Sequence, residues 1–249
     1  MRTILLTLEY LGTRYAGWQV QPNCLTVQEV VETALADLCG EPVRIHSSGR
    51  TDAGVHARCM LAHFTLESDL PIKAFRDGLN ARLPSDIAIR EACEMPMGFH
   101  ARFDARGKWY RYTIYRGRAR SPLLAATSWH LYGDLNLEVM RRAAALLVGE
   151  HDFGAFRSSS CAAKTTVRAL FQVDIVDEGE VLHLDFRGGG FLKNMIRMLV
   201  GTLVQVGQDK RSIDDIPKLL QRDPQQRSGP TAPPHGLCLM EVWLDDDSP

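Results

Sequence analysis

Long apolar runs, paired cysteines and low-complexity segments are all absent from this sequence of 249 residues. No apolar run approaches the roughly 20 residues that a membrane-spanning helix needs, and an acid at Glu9 comes too early for a secretory signal peptide. The six cysteines stand singly, without a Cys-x-x-Cys pair, which is typical of free thiols in a reducing compartment. We therefore expect a cytoplasmic protein with no membrane segment.

An excess of either charge is also missing, since 29 Lys and Arg stand against 30 Asp and Glu. The charges are nevertheless segregated. Ala101–Arg120 holds seven basic residues, five aromatic residues and one acid, whereas Glu241–Asp247 holds four acids and no base. Such segregation is compatible with a basic groove that accepts a phosphate backbone. A solvated strand and loop would have the same composition, so both interpretations stay open at this point.

The hydropathy pattern predicts an α+β fold in which the order β-α-β-β-α-β occurs twice. In the first half, strands are predicted at Thr3–Tyr10, Val43–Ser47, Ala57–Leu66 and Asp86–Cys93, and helices after a capping box at Thr26–Glu29 and at Pro71–Ala81. In the second half, strands are predicted at Trp109–Arg116, Val167–Val176, Val181–Arg187 and Leu237–Leu244, and helices at Leu137–Val148, after Gly188–Gly190 and at Ser212–Leu220.

These elements predict two ferredoxin-like halves with mostly antiparallel sheets, an N-terminal half at 1–105 and a C-terminal half at 106–249. The segment Arg222–Pro234, rich in Pro, Gln and Arg, is predicted to be a loop inserted before the last strand. Because binding sites form preferentially where domains meet, we expect the active site in a cleft between the halves.

One loop presents a short carboxylate among glycines. Ser47–His56 lies between two predicted strands and contains Asp52, with Arg50 nearby and two glycines that permit unusual backbone angles. Taken alone, the pattern is more typical of an Asp that closes a turn. Arg50 and His56 are equally ambiguous, because each could orient this carboxylate or pair with another acid.

Metal and nucleotide sites are poorly supported. On one strand His56 faces away from Cys59 and His63, so these three side chains cannot converge on one zinc ion. The three glycines at Gly188–Gly190 lack the spacing of a P-loop or a dinucleotide fingerprint. In the helix that follows them, Lys193 and Arg197 share one face. Both could be surface charges, or cations that face an acid across the cleft.

The sequence resembles the TruA-type tRNA pseudouridine synthases, a resemblance that spans most of the chain. Arg50–Ala57 (Arg-Thr-Asp-Ala-Gly-Val-His-Ala) is similar to the catalytic signature of that family. Other family segments recur in order: Gly17–Gln19, Asn80, Leu83–Pro84, Asp86–Ile87, Phe99–Phe103, Tyr110–Tyr112, His151–Phe153, Gly190–Leu192, Met195, Arg197–Met198, Gly201, Pro234 and Gly236–Leu237.

This resemblance implies an isomerase that converts uridine to pseudouridine at positions 38, 39 and 40 in the anticodon stem-loop of tRNA. It further implies that Asp52 is the catalytic carboxylate, that Tyr110 stacks on the uracil, that Arg197 pairs with Asp52 and that Arg50 fills the space left by the extruded base. Neither a metal nor another cofactor is required. The resemblance also implies a homodimer that binds tRNA.

The chain departs from the family pattern at Leu11, where an acid is usual, at Ala155, where a small hydroxyl residue is common, and at Ile196, where Val is frequent. Two other classes of protein are weighed against the synthase. An RNA-binding module would need the basic-Gly-aromatic-Gly run of an RRM, which is missing. An Asp-dependent hydrolase would need a second carboxylate or a metal beside Asp52, and the loop contains neither.

Overall fold

The computed structural model describes residues 1–244 of the chain. The last three acids of the segregated acidic stretch, at 245–247, lie outside the described residues. Contacts group the chain into two compact units. Unit 1 contains Met1–Arg106 together with the C-terminal segment that begins at Cys238, and unit 2 contains Gly107–Leu237.

Unit 1 is built on a mostly antiparallel sheet with the strand order β4-β1-β3, to which the short β2 adds on β3. Its elements are β1 (Arg2–Tyr10), α1 (Val27–Cys39), β2 (His46–Ser47), β3 (His56–Leu66), a π-helical segment (Ala74–Gly78) and β4 (Ile87–Met95). The β-α-β-β-helix-β order predicted for the first half is therefore present.

The prediction of α1 is confirmed at both ends. The Thr26 hydroxyl accepts a hydrogen bond from the backbone N–H of Glu29, at 3.4 Å, which satisfies one of the free donors of the first turn. The helix ends at Gly40, whose φ of 78° lies in the left-handed region. The buried face includes Val27, Val31 and Leu35, so capping and periodicity together determine this element.

Two predicted elements of unit 1 are wrong in detail. The predicted strand Val43–Ser47 is a strand only at His46–Ser47. The reason is that side chains of α1 form hydrogen bonds with the backbone of Ile45, which would otherwise pair with a strand. The Ile45 N–H donates to the Glu32 carboxylate, and the Ile45 carbonyl accepts from Gln28 Nε2. The predicted α-helix Pro71–Ala81 contains π-helical turns at Ala74–Gly78. Apolar spacing cannot distinguish these two helix types over so short a segment.

The strands of unit 2 follow the order β5-β9-β8-β7, all antiparallel, and β6 adds to β5 in parallel. Helices α2 and α3 pack against each other, and α2 also packs against β8. The elements are β5 (Gly107–Tyr115), β6 (Trp129–His130), α2 (Leu137–Ala145), β7 (Gly149–Asp152), β8 (Val167–Glu178), β9 (Val181–Gly188), α3 (Met195–Gly207) and α4 (Asp215–Leu220).

The β8–β9 hairpin and the Asn136 cap of α2 are confirmed. Helices α2 and α4 are shorter than predicted, and α3 begins only at Met195, so that Leu192 of the predicted stripe precedes it. The short strands β6 and β7 were not predicted, since two and four residues carry too little periodicity. The final strand predicted at Leu237–Leu244 is confirmed as β10 (Leu237–Trp243). It pairs in parallel with β3, Cys238 opposite His56, and most of it belongs to unit 1.

None of the helices within residues 1–244 has the length and apolar character that a transmembrane span needs. Over the same residues, no group of three or more His, Cys, Asp or Glu side chains is arranged to hold a metal ion.

Candidate active site

The Asp52 loop joins β2 to β3, and its own backbone shapes it. The Ser48 N–H donates to the carbonyl of Leu61 at 2.8 Å, and the Val55 N–H donates to the carbonyl of Asp52 at 3.1 Å. Gly54 allows this second turn because its φ is 78°. Thr51 and Val55 are buried whereas Asp52 is half-buried. The loop therefore presents this carboxylate from a backbone anchored on both sides.

A segment between β1 and α1 holds the same loop from outside. The Trp18 N–H donates to the Thr51 carbonyl at 3.1 Å, and the Gly54 N–H donates to the Tyr15 carbonyl at 3.2 Å. The hydroxyl groups of Tyr10 and Thr51 share a buried hydrogen bond of 2.8 Å. Buried hydrogen bonds of this kind are costly to break, so the position of Asp52 is coupled to residues 34 or more positions earlier in the chain.

Two glycines make this close approach possible. A Cβ on Gly12 would lie 2.0 Å from the Val55 carbonyl oxygen, and a Cβ on Gly17 would lie 2.6 Å from that of Thr51. Gly17 also has a φ of 96°, a conformation that side chains disfavour. The Gly17–Gln19 segment of the family pattern thus has a physical purpose, which is to let the backbone touch the Asp52 loop.

His56 has a positioning role in this loop. It is 4% exposed, and its Nδ1 accepts a hydrogen bond of 2.9 Å from the backbone N–H of Gly12. The sequence left open whether His56 orients a carboxylate or pairs with an acid. The observed bond requires that Nδ1 carries no proton. Through this bond the imidazole fixes the segment between β1 and α1 against the end of the Asp52 loop. Arg50 is exposed at the rim of the loop.

Tyr110 and Arg197, the other two predicted site residues, belong to unit 2. Tyr110 lies on β5 opposite Phe186 of β9, is 7% exposed and contacts the Phe191 ring edge-on at 5.2 Å between centroids. Edge-to-face packing fixes the orientation of an aromatic ring. The phenol ring of Tyr110 therefore packs against Phe191, a residue that sequence periodicity alone does not associate with it.

Arg197 lies in the first turns of α3 with its guanidinium fixed at two atoms. Its Nε donates to the Ala232 carbonyl at 2.7 Å, and its Nη1 donates to the Asn194 side chain at 3.0 Å. The Ala232 N–H donates in return to the Arg197 carbonyl at 3.1 Å. The inserted loop Arg222–Pro234 thus has an unpredicted purpose, since it orients this arginine.

The same loop is locked onto α3 one turn further along. The Thr202 hydroxyl accepts from the Gly229 N–H at 2.8 Å, and a Cβ on Gly201 would lie 1.8 Å from the Pro230 carbonyl oxygen. Gly201 is one of the family positions, and the close approach of the Pro230 backbone explains why no side chain fits there.

The basic segment is less uniform than its composition suggests. Arg111 forms a bidentate pair with the buried Asp185, both bonds at 2.8 Å, and Arg116 pairs with Asp177. Paired guanidinium groups offer less charge to an RNA backbone. Arg102, Arg118 and Arg120 are exposed, and none of them forms an ion pair within residues 1–244.

A surface groove of about 530 Å³ in unit 1 is lined by Met95, Pro96, Gly98, Phe99, Asp104 and Leu244. None of these residues is among the predicted site residues Arg50, Asp52, Tyr110 and Arg197.

Comparison with known proteins shows a similarity to tRNA pseudouridine synthases that covers residues of both units. The family model described as tRNA pseudouridine synthase matches residues 7–104 and 143–244, which include Arg50, Asp52 and Arg197.

Curated relatives match over nearly the full length. The tRNA pseudouridine synthase A of Citrifermentans bemidjiense is 58% identical over 99% of this chain and 99% of its own. The enzymes of the same name from Geotalea uraniireducens and Acetivibrio thermocellus are 57% and 45% identical, each over 98% of this chain and 100% of their own. A solved archaeal box H/ACA sRNP Nop10-Cbf5 complex aligns with 81% of this chain and 43% of its own at 12% identity, and its TM-score of 0.37 carries no conclusion.

Proposed function

The chain belongs to the tRNA pseudouridine synthase family, and we propose that it isomerises uridine at positions 38, 39 and 40 in the anticodon stem-loop of tRNA. In this reaction the N1–C1′ bond of uridine breaks, the uracil turns, and a C5–C1′ bond forms. N1 gains a proton and C5 loses one, so the product has the same atoms as the substrate. No electron transfer and no hydrolysis take part, and the proposed reaction includes no metal or other cofactor.

The observation that carries the proposal is the seating of Asp52. A half-buried carboxylate is presented from a loop that is clamped by the backbones of Gly12, Tyr15 and Trp18. Such a fixed carboxylate suits covalent or acid–base chemistry, because a catalytic group must be held near its reacting atom. We assign Asp52 as the catalytic residue, acting on the sugar or on the base.

The remaining residues are assigned by what their side chains can do. Arg197, whose guanidinium is oriented by Ala232 and Asn194, would pair with Asp52 and keep it ionised. The ring of Tyr110 would hold the turning uracil by stacking, which does not fix its hydrogen bonds. Exposed Arg50 would occupy the stack position that the flipped nucleotide leaves.

The same proposal includes the arrangement of the whole molecule. We propose ferredoxin-like halves at 1–105 and 106–249 with the active site in the cleft between them, a homodimer that binds tRNA, and a cytoplasmic location. The element order of unit 1 and the separation of the chain near residue 106 support the division. The assignment of most of β10 to unit 1 is the point at which the contacts depart from it.

The test of the proposed function is to map pseudouridine in unmodified tRNA after incubation with the purified protein. We expect pseudouridine at positions 38, 39 and 40 wherever these are uridine, and no change elsewhere. Transcripts with cytidine at the three positions serve as controls. Modification at other positions would refute the assigned target, and release of free uracil would indicate a hydrolase instead.

The exposed arginines of the basic segment provide a second test. Replacing Arg118 and Arg120 by alanine is expected to weaken tRNA binding and to reduce the slope of log K against log salt by about 0.9 per lost phosphate contact. Arg116 is left unchanged because it pairs with Asp177. The measurement is a tRNA binding titration at several salt concentrations.

The matched control replaces Arg44 and Arg76, which lie in unit 1 and pair with Glu32 and Asp77. This double variant removes the same charge and should leave the salt slope nearly unchanged. Equal effects of the two double variants would mean that overall charge, rather than a local groove, determines binding.

A further inference from the structure

A row of aromatic rings crosses unit 1 and ends at the solvent. The ring centroids of His46 and His63 are 5.4 Å apart, those of His63 and His100 are 4.6 Å apart, and those of His100 and Phe103 are 4.1 Å apart. Phe103 is 73% exposed. A large apolar ring at the open end of a row of rings has no role in the core, because most of its surface stays in water.

The backbone holds this exposed ring in place. The N–H groups of Phe103 and Asp104 both donate to the His100 carbonyl at 3.0 Å, and the Asp104 carboxylate accepts from the His100 N–H at 2.8 Å. A closed turn of this kind removes most of the conformational freedom of the residues inside it. Phe103 is therefore pre-organised, which lowers the entropic cost of binding a partner.

The histidines support the turn and are not arranged as metal ligands. The Ala101 N–H donates to His63 Nδ1, and the Arg102 N–H donates to His100 Nδ1, both at 3.2 Å. His63 Nδ1 also lies 3.1 Å from the His46 carbonyl oxygen, so this ring nitrogen joins the turn to the backbone of β2. Burial, reinforced by the neighbouring His100 and His46, lowers the pKa of His63, against smaller opposing effects of the hydrogen bond to the His46 carbonyl and of Asp104.

A cation lies beside the exposed ring. The Arg102 guanidinium carbon is 5.9 Å from the Phe103 ring centroid, and within residues 1–244 Arg102 forms no ion pair. An aromatic face next to an uncompensated guanidinium is the combination that binds single-stranded nucleic acid, because the ring stacks on a base while the cation attracts the adjacent phosphate.

We propose that Phe103 and Arg102 form a platform on which one unpaired base of the anticodon loop stacks, separately from the uridine that reacts at Asp52. This inference rests on the proposed function for the identity of the RNA. The platform positions the substrate: it increases affinity for the stem-loop and takes no part in bond breaking.

The test measures binding of an anticodon stem-loop RNA in the Asp52→Asn background, where turnover does not interfere. We expect Phe103→Ala and Phe103→Leu to weaken binding by roughly 5- to 150-fold, the range that loss of one stacked base corresponds to. Phe103→Trp keeps a stacking face and should bind as well as Phe103. The control is Met97→Ala, which removes another exposed apolar side chain of unit 1 (68% exposed) and should bind normally.

A second set of RNAs identifies the partner base. Stem-loops with a single abasic site at each unpaired position in turn are titrated against Phe103 and Phe103→Ala proteins. One abasic position should reduce binding to the Phe103 protein and have little further effect on the alanine variant, since the two changes remove the same contact.

Several results would overturn the platform. Normal binding by Phe103→Leu would show that no stacking is involved, and additivity at every abasic position would show that no base contacts the ring. If the Phe103 variants instead altered the oligomeric state in sedimentation without affecting affinity for RNA, the ring would belong to a protein interface.

Failure of the platform and failure of the proposed function give different results. Pseudouridine formation by the wild-type enzyme together with unchanged binding by Phe103→Ala would refute the platform alone. Absence of any tRNA binding would refute the proposed function as well.

Discussion

Replacing Asp52 by asparagine or alanine is expected to abolish uridine isomerisation while leaving folding and tRNA affinity largely intact. In the proposed function the carboxylate serves the chemistry, whereas contacts with phosphates supply most of the affinity for RNA. Loss of a group that acts directly in the reaction costs on the order of 10⁴-fold or more in rate. The measurements are single-turnover pseudouridine formation, tRNA binding and thermal unfolding of the same preparations.

This set of measurements also separates the classes of protein considered from the sequence. A non-catalytic RNA-binding module would give wild-type and Asp52→Asn proteins that bind equally and form no pseudouridine. Turnover by either variant within about tenfold of the wild-type rate would remove Asp52 from the catalytic role.

Replacing Gly17 by alanine is the second change from which we expect a large effect. The added Cβ would lie 2.6 Å from the Thr51 carbonyl oxygen and 3.2 Å from the Ala53 nitrogen, and the φ of 96° is disfavoured for any side chain. Both neighbours flank Asp52, so relief of the clash must move the Asp52 loop. Because a misplacement of about 1 Å can cost ~10²-fold in rate, we expect at least that loss in kcat/KM, together with a lower Tm.

Gly40→Ala is the matched control for this variant. Gly40 also has a positive φ, 78°, but its added Cβ would meet no atom within 4 Å. The variant therefore isolates backbone strain, which is worth about 1–2 kcal/mol, from the clash. It should lower the Tm modestly and keep full activity below that temperature. Equal losses of stability with full activity in both variants would show that Gly17 does not control the position of Asp52.

Much of the local structure could be predicted because its causes lie within a few residues. The Thr26 cap and Gly40 set the ends of α1, and the turn after Val176 sets the β8–β9 hairpin. The Arg50–Ala57 signature located the candidate catalytic loop in the same way, since its glycines and its carboxylate are adjacent in the sequence.

Long-range partners decided what the sequence alone could not. The Glu32 carboxylate accepts the Ile45 N–H, which therefore does not join the predicted strand. Asp185 neutralises the charge of Arg111, although the two residues are 74 positions apart in the sequence. The C-terminal strand pairs with β3 although it follows unit 2 in the chain. Such contacts leave no local pattern in composition or periodicity, because they depend on which segments the folded chain brings together.

The candidate site shows the same division. Residue type and spacing identified Asp52, Arg50, Tyr110 and Arg197 through the family resemblance, and the family model and the relatives support that resemblance. The tertiary structure alone revealed that Gly12 and Gly17 clamp the Asp52 loop, that Ala232 orients Arg197 and that three histidines lie in a row with Phe103. Identity is a local property of the sequence, whereas the orientation of a side chain is set by backbone groups that only folding brings within hydrogen-bond distance.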